Sequence, residues 1–425
     1  MKKFILLLVV ITLLVPAYAQ DIAYAKEVIK KLCSSEMKGR GYVGTGDRLA
    51  ADYLAAEFER LSVRKFSKSY FQKYTTPVNT FPGKLSLKVN GHELIPGKDF
   101  LIEPGSPGVS GVFKTVSISA EELLKDEVWT SKVKTAAGKF VVIEAFDKKV
   151  FSSDQQKKIA ELVNFLKYSN GHPAAGTLVL STDKLTWSGS TELLSKPSFT
   201  VLASEKTTSI SSVEANAENK FIKNYETQNV AGFIEGERTD SMLVFTAHYD
   251  HLGMMGEDTY FPGANDNASG VAFLLNLVKH YSSKKPVFTT VFIAFSGEEI
   301  GLVGSQYFTG HPLFPLEKIK FLINFDLAGT GDGGIQVVNG KQYQSKFDLL
   351  TTINTELNLL PQVKIRGEAC NSDHCMFHTK GVPCFYMYTL GGIQAYHDIH
   401  DQAETLPLTE FEDYFTLVTT FVSRL

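Results

Sequence analysis

The chain has 425 residues, 44% of them hydrophobic and 21% charged, with a net charge of −3 at pH 7. That length and composition suit a globular protein with room for two domains and sizeable cores. The near-neutral charge gives no reason to expect nucleic acid or an anionic membrane as a partner, and four cysteines do not make a dense disulfide framework.

The first segment is expected to lie outside the fold. Lys2 and Lys3 precede an apolar run from Phe4 to Val15, and Ala17-Tyr18-Ala19 offers small residues at the two positions a signal peptidase reads. The run is short for a membrane span, and no cysteine stands at the cleavage point to take a lipid. The reading is a signal peptide over residues 1–19 and an exported chain beginning near Gln20, with no membrane span after cleavage. A retained anchor is the alternative.

From about residue 22 to 64 the pattern is helical, with apolar side chains at helical spacing from Ala50 to Phe58. The glycine-rich stretch Gly39 to Asp47 lacks the Lys-Ser/Thr ending of a phosphate-binding loop and reads as a helix-entry loop. Between about 66 and 225 short strand-like runs dominate. Leu85 to Val89 alternates and closes on Asn90-Gly91, a hairpin signal. Lys139 to Ile143 and Gly176 to Leu180 read as buried strands, with a helix from about Asp154 to Tyr168 between them. No catalytic cluster is evident there, so residues 66–225 are expected to form an inserted β-rich α+β domain serving as a lid or spacer.

From about 226 onward strands and helices alternate. Met242 to Ala247, Val287 to Phe295, Lys320 to Phe325 and Val382 to Tyr388 read as buried strands. Ala268 to Tyr281, Tyr343 to Leu357 and Glu410 to Leu425 carry helical periodicity. Such alternation predicts an α/β fold with a mostly parallel central sheet flanked by helices. Residues 20–65 and 226–425 are expected to make up this second domain. Cys370 and Cys375 are close enough to bridge and Cys384 is near them, while Cys33 is distant, so the pairing stays open.

Polar residues gather at the ends of these strands. His248 lies in Ala247-His248-Tyr249-Asp250, Glu298 and Glu299 in Ser296-Gly297-Glu298-Glu299-Ile300-Gly301, and Asp326 in Asn324-Phe325-Asp326-Leu327. All fall just beyond the C-terminal ends of predicted strands, where open α/β sheets place their sites. Asp266 sits in Gly263-Ala264-Asn265-Asp266-Asn267-Ala268-Ser269-Gly270. Alone, each has an ordinary explanation: a core histidine, a helix-capping aspartate, a solvated glutamate pair, a turn aspartate. Together with a histidine near residue 400 they supply two imidazoles and four carboxylates; the two imidazoles and three of the carboxylates suit a pair of zinc-like ions sharing one carboxylate, with Glu298 as the extra one. Asp266 is expected to be the bridge, because its asparagine neighbours can cap the helix. Adjacent side chains diverge, so one of Glu298 and Glu299 can bind metal while the other faces a water. Asp250 is positioned to orient the second ring nitrogen of His248, and His251 is expected behind the site or at the surface. Tyr396-His397-Asp398-Ile399-His400-Asp401 offers two histidines for the last ligand.

These motifs resemble the M28 family of zinc aminopeptidases and carboxypeptidases. Ala-His-Tyr-Asp, Gly-Ala-Asn-Asp-Asn-Ala-Ser-Gly and Gly-Glu-Glu-x-Gly-Leu carry the likeness, which runs from Asn229 to the C-terminus, with Gly39 to Phe58 similar to the family's leading segment. The resemblance implies a phosphorylase/hydrolase-like, zinc-exopeptidase fold holding two zinc ions, other divalent metals being possible. It implies that Asp266 bridges, that His248 and Asp326 complete one ion's ligands and Glu299 and His400 the other's, and that Glu298 is the general base. His400 is preferred to His397 because the family's last histidine is followed four residues later by Asp or Glu and then Thr, which Glu404 and Thr405 match. Several members carry an oxyanion-holding tyrosine just before that histidine, where this chain has Ile399. Ser372-Asp373-His374 followed by Gly381-Val382-Pro383 also resembles the family's pocket lining. More loosely, Gly138 to Val142 and Pro197 to Val201 resemble a protease-associated domain, implying a cover over the cleft or a filter on substrate length. The activity implied is hydrolysis of peptides from one end, aminopeptidase ahead of carboxypeptidase. A one-zinc glutaminyl cyclase and a catalytically dead binding protein share the fold, and the complete set of ligands and base argues against both.

Overall fold

The computed structural model describes residues 21–425, so the expected signal peptide lies outside the described residues. The first helix, α1 (Ile22–Leu32), is capped by Asp21, whose carboxylate accepts the Tyr24 N–H. Tyr24, Ala25, Val28, Ile29 and Leu32 form its buried face, the spacing of a one-sided helix. Helix α2 (Gly46–Arg60) buries Ala50, Ala51, Leu54 and Phe58.

The chain enters a central sheet with β1 (Phe71–Thr80), leaves it, and returns antiparallel in β2 (Lys220–Ile234). The remaining elements are β3 (Arg238–His248), α3 (Gly270–Ser283), β4 (Phe288–Phe295), α4 (Val303–Gly310), β5 (Ile319–Asp326), β6 (Ile335–Val338), α5 (Gln344–Leu357), β7 (Val363–Ile365), α6 (His374–His378), β8 (Cys384–Thr389) and α7 (Phe411–Ser423). The sheet runs β1-β2-β4-β3-β5-β8-β6-β7. Its centre, β4-β3-β5-β8, is parallel, as the alternation predicts. Antiparallel pairs at β1–β2, β2–β4 and β6–β8 make the whole sheet mixed.

The central strands are buried on both faces, which is why they read as unbroken apolar runs. On β3, Leu243, Phe245 and Ala247 pack on one side with α1, α2, α3 and α7. Val244 points the other way, toward Phe308 of α4 and Phe377 of α6. Cys33 and Cys384 are free and buried, and Cys370 is bonded to Cys375. No helix among the described residues is long and apolar enough to cross a membrane.

Between β1 and β2 the chain builds a second eight-stranded sheet from strands lying between Leu85 and Ala217. Its Leu85–Val89 and His92–Leu94 strands pair through Asn90 (φ 49°) and Gly91 (φ 80°), the two left-handed residues that a tight Asn-Gly hairpin requires. Within the expected span of 66–225, the pairing assigns the first and last strands to the central sheet. All of β1 and the start of β2 pair with each other and, through β2, with the central sheet. A strand's sequence does not reveal which of two sheets it joins, and only the pairing separates them. The second sheet is not detached, since its apolar core (Leu87, Val89, Phe199 and Val213 among others) runs on into Leu252, Met255 and Phe261 of the loop after β3.

Candidate metal centre

Parallel register brings the strand ends together. His248 pairs with Phe295, Thr246 with Asn324, and Asp326 with Tyr388, so β3, β4, β5 and β8 all end along one edge. His248 closes β3 and Asp326 closes β5. Glu298 and Glu299 follow β4 after a turn at Gly297 (φ 72°), where an added Cβ would lie 2.3 Å from the Val303 side chain and 2.7 Å from the Tyr74 hydroxyl. Only glycine fits that turn. Asp266 is on the loop into α3. Asn267 Oδ1 accepts the Gly270 N–H at 3.0 Å, so the asparagine caps the helix and leaves the Asp266 carboxylate free.

The Asp266 carboxylate is divided between two histidines. Its Oδ1 lies 3.4 Å from His248 Nε2, and its Oδ2 lies 2.9 Å from His397 Nε2. His248 Nε2 is also 3.4 Å from Asp326 Oδ2, and His397 Nε2 is 3.2 Å from Glu299 Oε2. Two half-sites therefore meet on one carboxylate. Donor atoms of His248, Asp266 and Glu299 lie within 4.8 Å of one another, as do those of His248, Glu298 and Asp326.

The two glutamates differ in what holds them. Glu299 faces His251 Nδ1 at 2.7 Å with one oxygen and His397 with the other. Burial alone would raise its pKa, but the charges and hydrogen bonds of His397 and His251 outweigh it and hold the carboxyl well below the usual range. The Glu298 carboxylate accepts no protein hydrogen bond among the described residues. Burial, with Glu299, Asp373 and Asp326 beside it, pushes Glu298 well above the usual carboxylate range against the pull of His248. Burial would lower both histidines, yet the surrounding carboxylates win. Asp326, Glu298 and Asp266 hold His248 well above its ordinary value, and Glu299 and Asp266 hold His397 at about 11.

Of the two candidate histidines, the structure places His397 and not His400 beside Asp266 and Glu299. His400 is exposed, and its backbone N–H donates to Asp398 Oδ1 at 2.8 Å. The Asp398 turn carries its ring away from the cluster and leaves His397 facing Asp266. A count of residues to Glu404 and Thr405 does not register how the loop turns. His397→Ala is expected to cost one ion and most activity, whereas His400→Ala keeps metal content and turnover near normal. Metal analysis of the two variants after dialysis checks this, and the reverse pattern would restore His400.

Asp250 meets a different partner from the one expected, and His251 takes the first of its two expected places, behind the site. His248 Nδ1 is 3.2 Å from the backbone carbonyl of Asp250 and 3.8 Å from its carboxylate, so the main chain orients the ring. The Asp250 carboxylate instead accepts the N–H groups of Glu298 (3.2 Å) and Glu299 (3.4 Å). Burial raises it to about 7. His251 is buried against Glu299 and not at the surface.

Two contributors, Arg40 and Asp401, carry no clear signal of their role in the sequence. Arg40 is fully buried and donates to the carbonyls of Tyr249 (2.8 Å), Leu32 (3.0 Å), Pro262 (2.6 Å) and Gly263 (2.8 Å). It underpins the loop before Asp266. Asp401 accepts the N–H of Asn265 at 2.8 Å and of Asp266 at 3.0 Å, fixing the backbone of the shared carboxylate. Asp373, from the Ser372-Asp373-His374 motif, is buried, and burial pushes it to about 6.

Residues 229–422 match Peptidase family M28. The chain thus resembles M28 peptidases over a little under half of its length. Over 177 residues, 40% of the chain, it is 28% identical to the aminopeptidase YwaD of Bacillus subtilis, and over 108 residues, 25% of the chain, 33% identical to a probable zinc metalloprotease of Pyricularia oryzae. These alignments span only 37% and 22% of those relatives. The fold likeness reaches further than the M28 segment. A zinc aminopeptidase from Bacillus subtilis, BSAP, aligns over 95% of both chains with a TM-score of 0.70 at 18% identity. An M28 peptidase precursor from Shewanella amazonensis covers 95% of this chain and 93% of its own at 0.69 and 15%. The shared fold thus includes the second sheet as well as the M28 segment.

Proposed function

We propose that this chain is a two-zinc aminopeptidase that removes N-terminal residues from peptides. The observation that carries the reading is the Asp266 carboxylate, with one oxygen toward each of two half-sites. His248 and Asp326 would hold one ion, His397 and Glu299 the other, and Asp266 both.

The charges support the fit. Asp250, Asp266, Glu298, Glu299, Asp326 and Asp373 bring more negative charge to a buried site than neutral imidazoles can balance. The carboxylates around His248 and His397 raise both imidazoles, and bound cations would take over that balancing role. Binding must therefore release protons, as metal sites with histidine ligands do.

When bound, the ions would supply Lewis acidity and bring the pKa of a water at the site toward neutrality. Glu298, whose carboxylate accepts no protein hydrogen bond among the described residues, takes the proton of the attacking water and returns it to the leaving amine. With His397 as ligand, the residue directly before it is Tyr396 and no longer Ile399. The Tyr396 ring stacks on His397 at 4.1 Å, and it is 45% exposed. Burial and Asp266 keep its phenol protonated, so it is fit to donate to a developing oxyanion.

The reading of residues 1–19 as a signal peptide makes this an exported enzyme. One experiment addresses both parts. Chain recovered outside the cytoplasm, with Gln20 found first by N-terminal sequencing, is given zinc and offered a peptide with a free amino end and its N-acetylated twin. Only the free peptide should be cut, and a chelator should stop the reaction. Cleavage of both would point to a carboxypeptidase or endopeptidase instead.

A further inference from the structure

The two histidines are oriented from different places. The His248 ring is fixed locally, by a carbonyl two residues along the same loop. His397 is fixed by the second sheet. Its Nδ1 lies 2.8 Å from the carbonyl oxygen of Trp187, and the Trp187 N–H donates back to the His397 carbonyl at 2.9 Å. Trp187 lies between the Gly176–Ser181 and Ser198–Leu202 strands of that sheet.

This contact has a chemical consequence. A carbonyl can only accept, so Nδ1 must carry the hydrogen in either charge state. Nε2 is then the nitrogen left with a lone pair for a cation, and it is the one facing Asp266 and Glu299. The backbone of His397 also needs support, since its φ of 53° is uncommon outside glycine and persists where surrounding contacts impose it.

Trp187 is itself anchored. Its indole N–H donates to the Ile102 carbonyl at 2.7 Å, and its ring stacks on Phe261 at 4.9 Å. Nearby, Lys184 reaches out of the second sheet to Asp398 Oδ2 and to the Gln394 carbonyl, both at 2.6 Å. The loop that carries His397 is thus clamped on both sides of the histidine.

We propose that Trp187 is a positioning residue for the metal centre: through its backbone, the second sheet sets the tautomer and direction of His397, and so controls one ion and not the other. The sheet expected to be a lid or spacer is then a working part of one half-site. The inference rests on the two-ion reading above.

The test uses the full chain stripped with chelator and titrated with cobalt(II). Equilibrium dialysis measures bound metal, and the cobalt absorption bands report ligand geometry. Wild type should take two equivalents. Trp187→Ala should keep its circular dichroism and its first equivalent, while the second weakens about ten- to hundredfold and its absorption bands shift. Trp187→Phe, which keeps a ring against Phe261, should recover most of the loss. Lys184→Met, at an exposed side chain, should weaken the second equivalent several-fold. Two equivalents bound as in wild type by folded Trp187→Ala, or equal weakening of both, would overturn the proposal. If Trp187→Ala does not fold, Lys184→Met decides, and an unchanged second equivalent overturns it. A wild-type chain that takes fewer than two ions overturns the two-ion reading and this proposal with it.

Discussion

Glu298→Gln should leave two ions bound and reduce kcat by about 10²–10⁴, the usual worth of a positioned general acid–base. Glutamine keeps the shape and removes the basic oxygen. The expectation rests on the difference between the two adjacent glutamates. Glu299 has both oxygens engaged by His251 and His397, whereas Glu298 carries a raised pKa and no protein partner among the described residues. A variant that lost a ligand would lose metal; one that lost a proton carrier would lose only rate. Metal content measured beside kcat at saturating peptide separates the two. Near-normal turnover would remove Glu298 from the mechanism, and a missing ion would make it a ligand.

Asp266→Ala should lose both ions together and, with them, activity down to the assay background. Each oxygen of this carboxylate faces a different half-site, so its loss reaches both at once. The backbone should survive, because Asn267 caps α3 and Asp401 holds the Asn265 and Asp266 N–H groups without the side chain. In the metal-free state the variant should melt no lower than metal-free wild type, since one carboxylate leaves a crowded negative cluster. Zinc should raise the Tm of wild type and not of the variant, because ligand stabilisation follows occupancy. A variant that still holds two ions would end the bridging assignment.

The sequence revealed most where local patterns decide structure. Apolar runs located β3, β4, β5 and β8, and strand-end polar residues located His248, Glu298, Glu299 and Asp326, because parallel strands in register must bring their ends to one edge. Asn267 as the cap followed from the Asn-Asp-Asn spelling of that loop. The failures were all non-local. Nothing in β1 or β2 says which sheet they join. Two histidines three residues apart in a turn cannot be ranked without knowing the turn. The sequence leaves His251 either behind the site or at the surface, and only the fold shows that its partner is Glu299 on the next strand's loop. Arg40 is a surface residue type whose acceptors all lie in carbonyls, most of them more than 200 positions away.

That last distance sets an order of events. The floor of the site joins Arg40 to Tyr249, Pro262 and Gly263, and its ceiling joins Asn265 and Asp266 to Asp401. Pieces from near both ends of the chain must meet before the pocket exists, and contacts of such sequence separation close late. A nascent chain still short of His397 and Asp401 can form helices and the second sheet, but it has no complete cluster to load. On the two-ion reading, a chain that short would lack the half-site built on His397 and the Asp401 support beneath Asp266.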